Sequence, residues 1–82
     1  MIHVQYFARY RETLGIGGEQ LAWQAGLATL EALREHLLAR GGVWGVLAEQ
    51  NLMCARNQEL CGLDAELADG DEVAFFPTVT GG

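Results

Sequence analysis

Hydrophobic and polar residues alternate from the second residue of the chain onward. Ile2, Val4, Tyr6 and Ala8 fall on one side, and His3, Gln5, Phe7 and Arg9 on the other, the period-two pattern of a half-buried strand. On this register Phe7 points away from the core. Residues 10–14 fit one helical turn ahead of the loop Gly15-Ile16-Gly17-Gly18, where glycine permits tight turning. Leu21 and Trp23 alternate with Gln20, Ala22 and Gln24, which predicts a second strand. The period then changes. Leu30, Leu33 and Leu37 recur at helical spacing while Glu31 and Glu35 face outward, which predicts a helix from Leu30 to Arg40. Thr29 is placed to cap it and Gly41-Gly42 to end it. Val43 to Glu49 fit a short second helix around Trp44. Leu52 to Arg56 read as a third strand of open register, and Glu59 to Cys61 as a fourth after an Asn57-Gln58 turn. Asp69-Gly70 signals a turn, and Glu72 to Phe76 form the last strand, with Val73 and Phe75 on one face and Phe76 on the other.

Strand, strand, helix and further strands make an α+β pattern, a mixed sheet of four to five strands packed on one main helix. First and last strands fit side by side at its centre. Phe7 and Phe76, both directed outward by alternation, then form one exposed patch, which Leu60 is placed to join. Residues 1–77 are expected to be one domain and residues 78–82 an extended tail.

Composition narrows the function. Eighty-two residues, half of them apolar with one proline, suit one small compact domain. No apolar run reaches the length of a membrane span, and the start of the chain lacks a signal-peptide pattern, so a cytoplasmic protein is expected. Cys54 and Cys61 are too few for a disulfide scaffold and too far apart for a CxxC motif. His3 and His36 have no clustered partners, so no metal site is expected. The glycine loop lacks the G-x-G-x-x-G spacing of a dinucleotide site. No nucleophile–base pair is visible, which argues against an enzyme acting alone.

Charge is placed unevenly. Five arginines and five acids cancel through residue 58, and the net charge of −6 comes from Glu59, Asp64, Glu66, Asp69, Asp71 and Glu72. Such a field disfavours nucleic acid and either steers a basic protein partner or serves as a solvated surface. The chain has no lysine. That removes a nucleophile that would compete for an activated C-terminus, although an arginine-, alanine- and glycine-rich genome accounts for it as well.

The sequence finishes Pro77-Thr78-Val79-Thr80-Gly81-Gly82. A side-chain-free end either frays or works, because two glycines can pass a narrow channel and present a terminal carboxylate. From Thr78 to Gly82 the chain extends roughly 17 Å at about 3.3–3.6 Å per residue.

The ending Asp-Gly-Asp-Glu-Val-Ala-Phe-Phe-Pro-x-Val-x-Gly-Gly at 69–82 and the opening Val-x-x-Phe-Ala-x-x-Arg-Glu at 4–12 resemble the small subunit of molybdopterin synthase. So do Thr29-Leu-Glu-Ala-Leu-Arg-Glu-His at 29–36 and Asn57-Gln58. The resemblance covers essentially the whole chain. Thr78 departs from it, standing where a second proline is expected, which would loosen the tail slightly. The resemblance implies a ubiquitin-like β-grasp fold and a sulfur carrier. A ubiquitin-activating-like enzyme would use ATP to adenylate Gly82, and a sulfur donor protein would convert the adenylate to a thiocarboxylate. The large synthase subunit would then receive the sulfur for cyclic pyranopterin monophosphate. By resemblance Gly82 carries the sulfur and Gly81 allows its passage, while Phe7, Arg11, Leu60, Phe76, Pro77, Thr78, Val79 and Thr80 meet partners.

The chemistry agrees with needing those partners. A carboxylate acylates only after it gains a good leaving group, and this chain has no phosphate-binding loop. No bound cofactor is therefore expected, and ATP belongs to the adenylating partner. The acidic chain would not attract a phosphorylated pterin either. Alternatives are a thiamine-type sulfur carrier, a ubiquitin-like protein tag, or a β-grasp module that binds without chemistry.

Overall fold

The computed structural model describes residues 1–78. In chain order the elements are β1 (Ile2–Tyr6), α1 (Ala8–Leu14), β2 (Gly18–Leu21), a 3-10 turn (Ala25–Leu27), α2 (Leu30–Leu38), a 3-10 segment (Gly42–Ala48), β3 (Met53–Arg56), β4 (Glu59–Cys61) and β5 (Glu72–Phe76). The strands form one five-stranded sheet in the order β2-β1-β5-β3-β4. β1 and β5 are parallel and adjacent, and the other pairings are antiparallel. This is the expected α+β grasp, with the final strand in the middle of the sheet.

One face of the sheet is the core. Ile2, Val4, Tyr6, Val73 and Phe75 are fully or almost fully buried, as are Leu30, Leu33 and Leu37 of α2. Thr29 caps α2 by accepting from the Ala32 N–H at 3.1 Å. The segment before β5 crosses the start of α2, so that Leu30 N–H reaches Ala65 O at 3.0 Å and Glu31 N–H reaches Leu63 O at 2.9 Å. These bonds satisfy donors that a helix start leaves unpaired.

Several boundaries differ from expectation. The first strand stops at Tyr6, because Ala8 takes φ 54 and opens α1; Ala8 is exposed instead of continuing the inner face. Strand β2 begins in the glycine loop and ends before Trp23. Gly18 is required there for close approach, since a Cβ would lie 2.7 Å from the Val4 carbonyl oxygen. Helix α2 closes at Leu38, where Arg40 N–H turns back to Leu37 O at 3.1 Å. The Arg40 guanidinium also binds both Glu19 oxygens at 2.8 Å and lies 4.4 Å from the Trp44 ring centre. The segment around Trp44 is 3-10, not α. Leu52 precedes β3, and the open register resolves with Cys54 inward opposite Phe75.

Asp71 fastens the end of the sheet at which β5 begins. Its carboxylate accepts from Arg56 Nε and Ala68 N–H at 2.8 Å and from Asn57 Nδ2 at 3.1 Å. Burial alone would raise its carboxyl, but these three bonds outweigh it and hold the group below its ordinary value. A depressed carboxyl contributes stability above its unfolded-state value and loses it as pH falls through the folded one. Asp71→Asn is therefore expected to lower the unfolding free energy by about 1–3 kcal/mol at neutral pH. The gap should close as pH drops below ~3.9, which urea unfolding of both proteins at the two pH values measures.

Candidate functional site

The outer face of the sheet carries the candidate site. Residues opposite to the buried ones project there, and the register Gln5↔Ala74, Ala74↔Ala55, Ala55↔Leu60 sets four of them in one row across β1, β5, β3 and β4. Two alanines in the middle of that row leave a hollow. Phe7 and Phe76 bound it on one side, and Leu60, Gln58 and Glu72 complete an open groove of about 350 Å³. Phe7 is 44% exposed and Leu60 69% exposed. The Phe7 N–H donates to Phe75 O at 3.1 Å, which ties the ring to the end of β5.

Phe7 and Phe76 thus come together as alternation predicted, and Leu60 joins them. Arg11, on α1, shares a neighbouring depression with Phe7 and Gln5, and its side chain lies against Gly17. Pro77 is different. It is buried, so in the isolated chain it offers no docking face and acts on the exit through its fixed φ. The Thr78 hydroxyl donates to the Asn51 carbonyl, so the departure from proline ties the start of the exit to the loop before β3 instead of loosening it. Val79, Thr80, Gly81 and Gly82 lie outside the described residues.

Sequence reasoning missed the groove itself. Gln5, Ala55, Gln58, Glu72 and Ala74 carry no individual signal, and only the register brings them together. An outward alanine at the centre of β5, between outward Glu72 and Phe76, was the one available hint.

Several other polar side chains support the fold. Tyr6 is fully buried and its hydroxyl donates to Glu19 at 2.8 Å; burial first, and then that carboxylate, push its ionisation far up. Glu49 accepts from Arg9 and from the Tyr10 hydroxyl, bonds that hold its carboxyl below the usual range. Cys54 and Cys61 sit opposite one another on β3 and β4. Burial, then the nearby Cys61, push the Cys54 thiol up to about 12, so it stays protonated and acts as a core group. Among the described residues no group of three or more His, Cys, Asp and Glu side chains could hold a metal ion. No helix among them is long and apolar enough to cross a membrane.

The sequence matches the ThiS family over residues 4–82. It is 47% identical over 83 aligned positions to the molybdopterin synthase sulfur carrier subunit of Escherichia coli strain K12, covering 100% of each chain. Among solved structures it is similar to SAMP1 of Haloferax volcanii, at 25% identity and TM-score 0.80, over 99% of this chain and 98% of that one. It also superposes on a chain of the complex of subunits 1 and 2 of molybdopterin-converting factor from Helicobacter pylori 26695. That match has 23% identity and TM-score 0.67 over 99% of this chain and 97% of the other, and it speaks for the fold.

Proposed function

This chain belongs to the ThiS family, and from that premise we propose how it works as the sulfur carrier of molybdopterin synthase. Its terminal glycine, Gly82, is the group that is loaded. An adenylating partner supplies ATP and transfers AMP to the Gly82 carboxylate with loss of pyrophosphate, which creates a leaving group. Sulfide-level sulfur from a donor protein then attacks the acyl carbon, AMP departs with the C–O bond electrons, and Gly82 is left as a thiocarboxylate. The loaded carrier docks on the large synthase subunit and passes its sulfur to cyclic pyranopterin monophosphate.

The observation that carries this reading is the position of the groove. It opens on the outer face of β5, the strand from which the chain runs on toward Gly82. A partner covering Phe7, Leu60 and Phe76 is therefore held beside the exit, and a central strand fixes the starting point of the tail. Proximity of this kind is worth far more than affinity alone, because it converts delivery into an intramolecular step.

Intact mass spectrometry tests the loading step. After incubation with an adenylating enzyme known to act on such carriers, ATP and a sulfur source, one oxygen of the chain is expected to be replaced by sulfur. An unchanged mass, with the same enzyme loading a known carrier in parallel, would refute the carrier reading. An amide-linked adduct to another protein would point to a protein tag.

A further inference from the structure

The turn between β3 and β4 has two residues, Asn57 at φ 50 and Gln58 at φ 70. Two successive positive φ values define a hairpin geometry that Asn-Gly or Asp-Gly satisfies best. Asn57 fits, since asparagine tolerates the left-handed region. Its carboxamide also donates to Asp71 and accepts from the Glu72 N–H at 3.0 Å. Gln58 has no comparable reason to be there. Glycine would adopt its backbone without strain, and its own side chain is exposed. That side chain and Glu72 line both the 350 Å³ groove and an adjoining depression of about 170 Å³. Strain kept at a non-glycine residue on the wall of a groove points to a role for the side chain.

We propose that Gln58 and Glu72 form the polar end of the docking groove and receive a basic side chain, of the arginine type, from the large synthase subunit. The proposal rests on the sulfur-carrier reading above. Apart from Gln5, the rest of the groove is apolar, lined by Phe7, Ala55, Leu60, Ala74 and Phe76. An arginine can lay its methylene stem along such a surface while its charged head stays at the polar end. There the guanidinium donates to the Glu72 carboxylate and to the Gln58 carboxamide oxygen, which its planar fork suits better than an ammonium does. Charge favours the same occupant. Glu72 belongs to the block that gives the chain its net −6, and none of the four ion pairs among the described residues involves it. The nearby Arg56 is already engaged by Asp71 at 2.8 Å.

Gln58→Gly separates this role from a structural one, because fold and docking should move in opposite directions. The melting temperature is expected to rise by about 4 °C as strain is relieved. Affinity for the large subunit, measured by titration calorimetry, is expected to fall about tenfold. Glu72→Gln should weaken binding about tenfold at low salt and flatten its salt dependence. Leu60→Asp serves as the control for docking at the groove. If wild-type chain fails to bind the large subunit, the sulfur-carrier reading itself falls. If Leu60→Asp abolishes binding while Gln58→Gly and Glu72→Gln bind within twofold of wild type, the groove stands and this inference is overturned. A melting temperature that does not rise in Gln58→Gly removes the strain argument and counts against it equally.

Discussion

Deleting Gly82 is expected to abolish sulfur transfer while leaving the stability of the domain unchanged. The shortened chain still has a glycine carboxylate, now on Gly81, so the reacting group survives and only its position is lost. One residue of extended chain spans about 3.3–3.6 Å. Active sites hold reacting atoms to within roughly an ångström, and a misplacement of that size costs about 100-fold, so a loss well beyond that is expected here. Gly81→Val asks the complementary question. It keeps the length but adds a branched side chain one residue from the end, and it should block loading or transfer if the tip threads a narrow channel. Both variants should unfold in urea as the wild type does, since the changes fall beyond β5. Loading by intact mass, followed by single-turnover transfer to the large subunit, decides the matter. Transfer at the wild-type rate by Gly81→Val would end the threading argument, and loading of the shortened chain would end the assignment of Gly82.

The parts of the fold that were legible are those whose sequence signal is local. β4 and β5 have the expected bounds, because Asn57-Gln58 and Asp69-Gly70 punctuate them and alternation sorts Val73 and Phe75 from Phe76. Thr29 was readable as a cap for the same reason. Where residues answer to distant partners, local reading failed. Gly17 and Gly18 look like loop residues, yet Gly17 O accepts from Tyr6 N–H at 3.0 Å and Gly18 pairs with Gln5. Arg40 looks helical, yet it is drawn to Glu19 and Trp44. The outward aromatic rings were legible at the site because each lies on an alternating strand or just past one. The groove was not, because Met53, Cys54 and Ala55 are all apolar, and their register comes only from pairing with β5. Positive φ at Gln58 could not be read at all, since the residue that normally announces it, glycine, is absent.

Leu60→Asp is expected to weaken docking on the large subunit by at least about 60-fold without touching the fold. Leu60 is 69% exposed in the free chain, so replacing it removes little from the core, and surface changes of this kind stay within about 0.5 kcal/mol. In the docking proposed above, the partner covers this position and strips its water. Burial of the leucine contributes about 1.5–3 kcal/mol, and a carboxylate placed there must be desolvated without a partner, adding roughly 1 kcal/mol or more. Each ~1.4 kcal/mol is tenfold in affinity, which gives the expected loss. Phe75→Ala on the inner face is the contrast: it should destabilise the domain by about 3–5 kcal/mol. The defect of Leu60→Asp should also differ in kind from that of a tail variant. A Leu60→Asp carrier that already bears the thiocarboxylate has intact chemistry, so raising the concentration of large subunit should restore its transfer rate. No concentration should rescue a chain lacking Gly82. Single-turnover rates measured against large-subunit concentration separate the two behaviours, and an unchanged half-saturation for Leu60→Asp would move the docking face away from the groove.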